Sequence, residues 1–227
     1  MFKTYRNQFD ITITSKGGDK MLEKLCLNIT NYLRRQIPSI DDERAEVINF
    51  GLLVILGEGP KILILVLLAW WLDILFLTLV TLIAMSVYRT QAGGFHLDGH
   101  ISCLVVSGLI FCGTGLLAQA MANLPIALQY YTYALIFIFN MIIIDKYAPA
   151  DTQNVPIISE ERRRKKKIGS YVAVTALLLF ALVCPNQVVS NICVLVTFIQ
   201  SISMTQTAYR LTKCEYGDVS KHNLGLV

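Results

Sequence analysis

Arg89-Thr90-Gln91-Ala92-Gly93-Gly94-Phe95-His96-Leu97-Asp98-Gly99-His100-Ile101-Ser102-Cys103 is a dense polar cluster set between long apolar runs. It brings together a guanidinium, paired glycines, two imidazoles, a carboxylate and a thiol. Residues 74–88 before it are almost entirely apolar, and the chain turns apolar again from Ile101. Hydrocarbon on both sides tolerates such a cluster only where it faces protein or water. Fold and function are therefore read from the same place.

Working outward, residues 43–72, 74–88, 101–122, 126–144, 168–184 and 188–205 form six apolar stretches. Each comes near the ~20 residues a helix needs to cross hydrocarbon, or falls slightly short. The composition, 54% hydrophobic and 16% charged, excludes an ordinary soluble domain and a nucleic-acid-binding one. The spacing predicts an all-α fold: a polytopic helical membrane protein with about six transmembrane helices and an N-terminal amphipathic helix. One membrane domain, 1–227, is expected, with an N-terminal region 1–42, a bundle 43–206 and a tail 207–227.

Gly57, Gly59 and Pro60 interrupt the first stretch and predict a broken span, with Glu58 and Lys61 turned to the protein interior. Residues 1–20 are polar and lack the apolar core of a signal peptide. From Met21, apolar residues recur at helical spacing between Lys24, Arg34 and Arg35, which suits a helix on the membrane surface or one packed on the bundle.

Orientation follows from charge. Arg162 to Lys167 are six consecutive cations, whereas the turns at 72–73, 123–125 and 185–187 contain no lysine or arginine. The positive-inside rule then puts the loop 145–167, the stretch 89–103 and both termini in the cytoplasm of a multi-pass cell-membrane protein.

A thiol reacts as its thiolate, and a nearby imidazole can take the proton, so a Cys–His pair is a minimal acyl-transfer machine. Cys103 is expected at the start of a helix, where the macrodipole favours negative charge and backbone N–H groups can receive an oxyanion. Gly93 and Gly94 allow positive φ and close approach to a peptide, or simply a sharp turn. In an unbroken helix His100 would share the face of Cys103, while His96 would lie about 10 Å away along the axis.

Asp98 could orient either imidazole or cap the helix. Arg89 suits interfacial anchoring or the binding of a substrate carboxylate or backbone. Ser107, one turn past the thiol, could orient the site or bond back to its own helix. The six cysteines show neither CxxC pairing nor zinc spacing, so no metal and no cofactor is expected. A rival reading is a small-molecule or peptide transporter whose polar stretch relays protons. Another is a purely structural membrane subunit. Neither explains the ordered arginine, glycine, histidine and cysteine.

Arg89, Gly94, His96 and Cys103 stand at the spacing R-x4-G-x-H-x6-C, and the chain thereby resembles the accessory gene regulator B (AgrB) family of bacterial membrane peptidases. Ser107 matches too, as does the stretch from Lys146 to Thr152 with the basic run after it. The resemblance spans about Met21 to Tyr209. It implies a cysteine endopeptidase that cleaves the C-terminal segment from an AgrD-like quorum-sensing precursor through an acyl-thioester, giving a thiolactone or lactone ring. It also implies that His96 rather than His100 is the base, and that a homodimer forms. The segment removed in this family is typically acidic, which makes the basic run a candidate docking surface as well as a site for anionic membrane lipid.

Overall fold

The computed structural model describes residues 18–37, 40–95, 97, 99–153 and 156–225. Most of the polar N-terminal stretch read as lacking a signal peptide lies outside them. The described elements are α1 (Gly18–Gln36), α2 (Asp42–Trp71), α3 (Leu75–Ala92), α4 (His100–Ala122), α5 (Ile126–Tyr147), α6 (Glu160–Val183), α7 (Gln187–Ser203), α8 (Gln206–Thr212) and α9 (Asp218–Asn223). Five are long and apolar enough to cross a membrane, or six if α7 and α8, bent by 72°, form one broken span. The all-α, polytopic architecture expected from the sequence is therefore the one observed.

The chain divides into two compact units, 1–65 and 66–227, with the boundary inside α2. In the first unit α1 exposes Met21, Leu25 and Leu27 while burying Cys26 and Thr30. Arg34 is paired with Asp42 across the break between α1 and α2. The break expected near Pro60 is absent, because α2 is helical across it. Proline removes one ladder bond, which a long apolar helix can absorb. Glu58 does not turn inward either. Its half-exposed carboxylate accepts from Lys61 Nζ at 2.7 Å, an i,i+3 pair that offsets both charges along one face.

The second unit is organised around α7, which packs against α3, α4, α5 and α6. Its sequence explains the central position, since Ser190, Asn191, Thr197, Gln200, Ser201 and Ser203 would be costly against lipid and are all buried. Helices α3, α4 and α5 supply partners. Tyr133 OH donates to Asn191 Oδ1 at 2.5 Å, and Asn191 Nδ2 donates to Ala118 O at 3.1 Å. Asn140 Nδ2 donates to Thr197 Oγ1 at 2.9 Å, and the Tyr88 and Ser201 hydroxyls lie 2.9 Å apart.

Several boundaries differ from those the hydropathy predicts. Helix α3 runs one turn past residue 88 and ends where the N–H of Gly93, at φ 76, donates to Arg89 O. Arg89 thus lies within the last helical turn. Helix α6 begins at Glu160, so the cations from Arg162 to Lys167 are helical and not part of a loop. Ser159 caps that start by accepting from Arg162 N, and Glu160 and Glu161 suit the positive end of the macrodipole.

The expected tail 207–227 is folded over its described residues, 207–225. Tyr209 and Tyr216 are buried and stack with ring centroids 3.7 Å apart. Tyr216 OH donates to Met204 O at 2.7 Å, and burial raises its pKa above that of an ordinary phenol, so it remains a donor. Below this stack the buried Asp151 carboxylate accepts from Arg163 Nη1 at 3.0 Å, from Ile157 N at 2.8 Å and from the Ser220 hydroxyl. Arg163 Nη2 also reaches Ser220 Oγ at 2.8 Å, which ties α9 to α6.

Removing one partner of a buried ion pair strands the other, at a cost of about 3–5 kcal/mol. Arg163→Ala should therefore lower the unfolding temperature of the detergent-solubilised protein far more than Arg164→Ala, whose side chain is exposed. Equal effects in a thermal melt would remove the Asp151–Arg163 pair from the account of stability.

Candidate active site

The polar stretch leaves α3 at Gly93 and enters α4 at His100. Between them the backbone is locked to two distant segments. Gly94 N donates to Ala150 O at 2.8 Å, and Ala150 N donates to Ala92 O at 2.8 Å, forming an isolated parallel bridge. Phe95 N donates to Ser203 O at 3.4 Å at the end of α7. Gln200 Nε2 donates to Gly93 O at 2.5 Å, and Arg89 Nη2 donates to Phe95 O at 2.5 Å.

This joint explains both glycines. Gly93 and Gly94 have φ of 76 and 136, a region L side chains rarely adopt. A Cβ on Gly93 would lie 2.1 Å from Ala150 O, and one on Gly94 would lie 2.7 Å from Ser203 Oγ. Their backbone approaches other parts of the chain. The close approach to a substrate raised from the sequence is not needed to account for them.

Cys103 is in the first turn of α4, with its N–H on Gly99 O at 2.8 Å. The N-cap is Gly99, which brings no side chain to close that turn, and Ser102 Oγ folds back onto Gly99 O at 2.9 Å. The thiol is half-buried, with Ser107 Oγ 4.0 Å from its sulfur. The Arg89 guanidinium holds the loop through its hydrogen bond to Phe95 O. Arg89, Gly93, Gly94, Cys103 and Ser107 therefore converge on one end of the bundle. His100 is the first residue of α4. Its side chain, together with His96 and Asp98, lies outside the described residues.

Beside the joint a polar cleft of about 330 Å³ is lined by Lys146, Arg164 and Lys167, by Asp145 and Glu160, and by Asn223 of α9. Much of the basic run is already engaged. Arg163 holds Asp151, Lys166 reaches Thr90 O, and Lys167 Nζ pairs with Asp145 at 2.9 Å. Among the described residues no group of His, Cys, Asp or Glu side chains is arranged to hold a metal ion.

The sequence singles out neither Gln200 nor Ser203, and Ala150 enters only within the stretch from Lys146 to Thr152. Gln200 and Ser203 carried a usable signal, being polar residues inside an apolar span. Ala150 carried none, because a backbone bridge leaves no mark on side-chain type.

Fold and joint together define a polytopic helical membrane protein with a thiol-bearing polar end. The chain belongs to a known family of this kind, accessory gene regulator B, whose family model matches residues 26–204. AgrB-like protein 2 of Clostridium perfringens is 28% identical over 153 residues, covering 65% of this chain and 72% of that protein. An AgrB-like protein of Clostridium acetobutylicum is 24% identical over 201 residues, covering 88% and 93%. One from Listeria innocua is 27% identical over 187 residues, covering 80% and 87%. No solved structure matches the chain. Family membership places the protein in quorum-sensing peptide processing of the accessory gene regulator type.

Gly93→Ala should unsettle the joint, at a cost of about 1–3 kcal/mol for forcing a side chain into this backbone region, plus the clash with Ala150. Gly108→Ala, where an added Cβ meets nothing within 4 Å, is the control and should be tolerated. Limited proteolysis between α3 and α4 reads the difference. Equal protection of the two variants would show that the joint does not depend on Gly93.

Proposed function

We propose that the protein is a membrane cysteine endopeptidase that removes the C-terminal segment of an AgrD-like precursor. The reading rests on one observation above all: Cys103 stands in the first turn of α4, directly after a loop whose departure from α3 is pinned by internal bonds. A nucleophile gains most when its geometry is fixed before substrate arrives.

In this mechanism His96 takes the proton of Cys103, and the thiolate sulfur attacks the scissile carbonyl carbon. The carbonyl oxygen gathers negative charge near the α4 N-terminus and the Arg89 guanidinium, which favour it electrostatically. The C–N bond then breaks, the leaving amine takes the proton from the imidazolium, and an acyl-thioester remains on Cys103. A thiol or hydroxyl within the precursor attacks that carbonyl, closes the ring and frees Cys103. Ser107 supports the thiol from the next turn.

The cations of the polar cleft give an acidic precursor segment a landing place close to the joint. The ends of α3, α5 and α7 and the starts of α4 and α6 meet on one side, and the basic run there supports reading that side as cytoplasmic. A transporter reading draws no support from a loop whose backbone groups are engaged in internal bonds.

Full-length protein in vesicles, mixed with candidate precursor peptides, should form an acyl adduct on Cys103 detectable by mass spectrometry. Cys103→Ala should abolish both adduct and segment release. His96→Ala should slow adduct formation by about 10²-fold or more, the contribution of a general base, while His100→Ala stays within a few-fold. Segment release by Cys103→Ala would sink the cysteine mechanism, and the reverse histidine pattern would make His100 the base. Lys146→Glu with Arg164→Glu should raise KM for an acidic precursor and leave the acyl-transfer rate unchanged. An unchanged KM would remove the cleft from precursor docking.

A further inference from the structure

Gln200 is fully buried on α7, one turn before Ser203. Its orientation is fixed by chemistry, because turning the amide over would set Oε1 against the Gly93 carbonyl. As placed, Nε2 donates to Gly93 O, and Oε1 is a buried acceptor with no donor among the described residues. A leucine or methionine would fill similar space without an orphaned oxygen, so the amide is better explained by its N–H than by its volume. The fit leaves no slack, since a Cβ on Gly94 would lie 3.3 Å from Gln200 Nε2. Asn191 and Thr197, also buried and polar on α7, bond to neighbouring helices or within α7. Gln200 instead reaches the backbone from which the chain sets out toward His96 and Cys103.

We propose that Gln200 is a positioning residue for the peptidase reaction: its amide fixes the Gly93 peptide and thereby sets the direction in which residues 94–103 leave α3. This rests on the peptidase reading above and adds to it a residue distant in sequence. Gln200 touches neither substrate nor sulfur. It acts through the loop, with Arg89 clamping Phe95 O from the other side.

Gln200→Glu is close to isosteric and separates the donor role from a space-filling one. Protonated, the acid can donate O–H to Gly93 O, whereas ionised it repels that carbonyl. Burial keeps the acid neutral at low pH and raises its pKa, so the donor is present there and lost as pH rises through that pKa.

The experiment uses full-length protein in vesicles and compares wild type, Gln200→Glu, Gln200→Ala and Asn140→Leu. Two rates are read across pH: acyl-adduct formation with a precursor peptide, and alkylation of Cys103 by iodoacetamide mapped peptide by peptide. Gln200→Ala should lose about 10–100-fold in kcat with KM within about threefold, as expected for a misplaced reacting group. The ratio of Gln200→Glu to wild type should fall about tenfold or more between pH ~5.5 and ~8.5, in both rates, as the buried acid ionises. Asn140→Leu, which removes the bond to Thr197 elsewhere on α7, should lower thermal stability and leave both rates near wild type.

A Gln200→Glu ratio that stays flat with pH, or Gln200→Ala within twofold of wild type, overturns the proposal. If wild type forms no adduct with any precursor, it is the peptidase reading that fails. The alkylation ratio needs no substrate and still decides whether Gln200 acts on Cys103.

Discussion

Irregular backbone near hydrocarbon must find its hydrogen bonds inside the protein, and residues 93–95 show what that demands. Their three N–H groups go to Arg89 O, Ala150 O and Ser203 O. The carbonyls of Gly93 and Phe95 accept from Gln200 and Arg89. The partners come from α3, from the α5–α6 connection and from α7. The joint therefore cannot form before those elements have docked.

Dependence runs outward from there. Ala150 is held in place because the next residue, Asp151, is a buried carboxylate surrounded by donors from Arg163, Ile157 and Ser220. The Tyr209 hydroxyl shares its one proton between the carbonyls of Ala150 and Asp151, each at 3.1 Å. Helices α8 and α9 are thus part of the scaffold that sets the Gly93 bridge, although they lie more than a hundred positions from it in sequence. On the other side α7 reaches its place through the polar contacts of Asn191 with Tyr133 of α5 and Ala118 of α4. An apolar α7 could slide or rotate against its neighbours, whereas donors and acceptors at fixed heights set its register.

The spans were legible because a crossing helix needs many consecutive apolar residues, a signal too long to be obscured by a single side chain. Most starts were legible too, those of α2, α4, α5 and α7 falling within a residue of the apolar runs, but Gly93 stops α3 four residues beyond its run and Ser159 starts α6 eight residues ahead of its own. The polar cluster stood out as local density. Its partners on α7 did not, because averaged hydropathy absorbs six buried polar residues into an apolar span. The glycine pair was visible as permissive backbone, but what it approaches, Ala150 and Ser203, is a tertiary fact. The basic run was read as a uniform patch, yet Arg163 within it is buried and structural while Arg164 beside it is exposed. Nothing in a string of like residues marks which one turns inward.

The engagement of the loop bears on the chemistry. Because the amides of residues 93–95 are occupied, they cannot receive negative charge developing on a substrate carbonyl. The start of α4 differs in this respect. Its N-cap, Gly99, has no side chain to bond the first-turn amides, and the Ser102 hydroxyl turns back onto Gly99 O. A Cβ at Gly99 would lie 2.6 Å from that hydroxyl, so a side chain there would turn Ser102 Oγ away. In the proposed reaction the sulfur and the amides of that turn belong to one rigid element, so any carbonyl brought to Cys103 arrives beside the positive end of a helix dipole. The α3 end of the stretch is closed by internal bonds and gives position. In the proposed reaction the α4 end carries the thiol and gives reactivity.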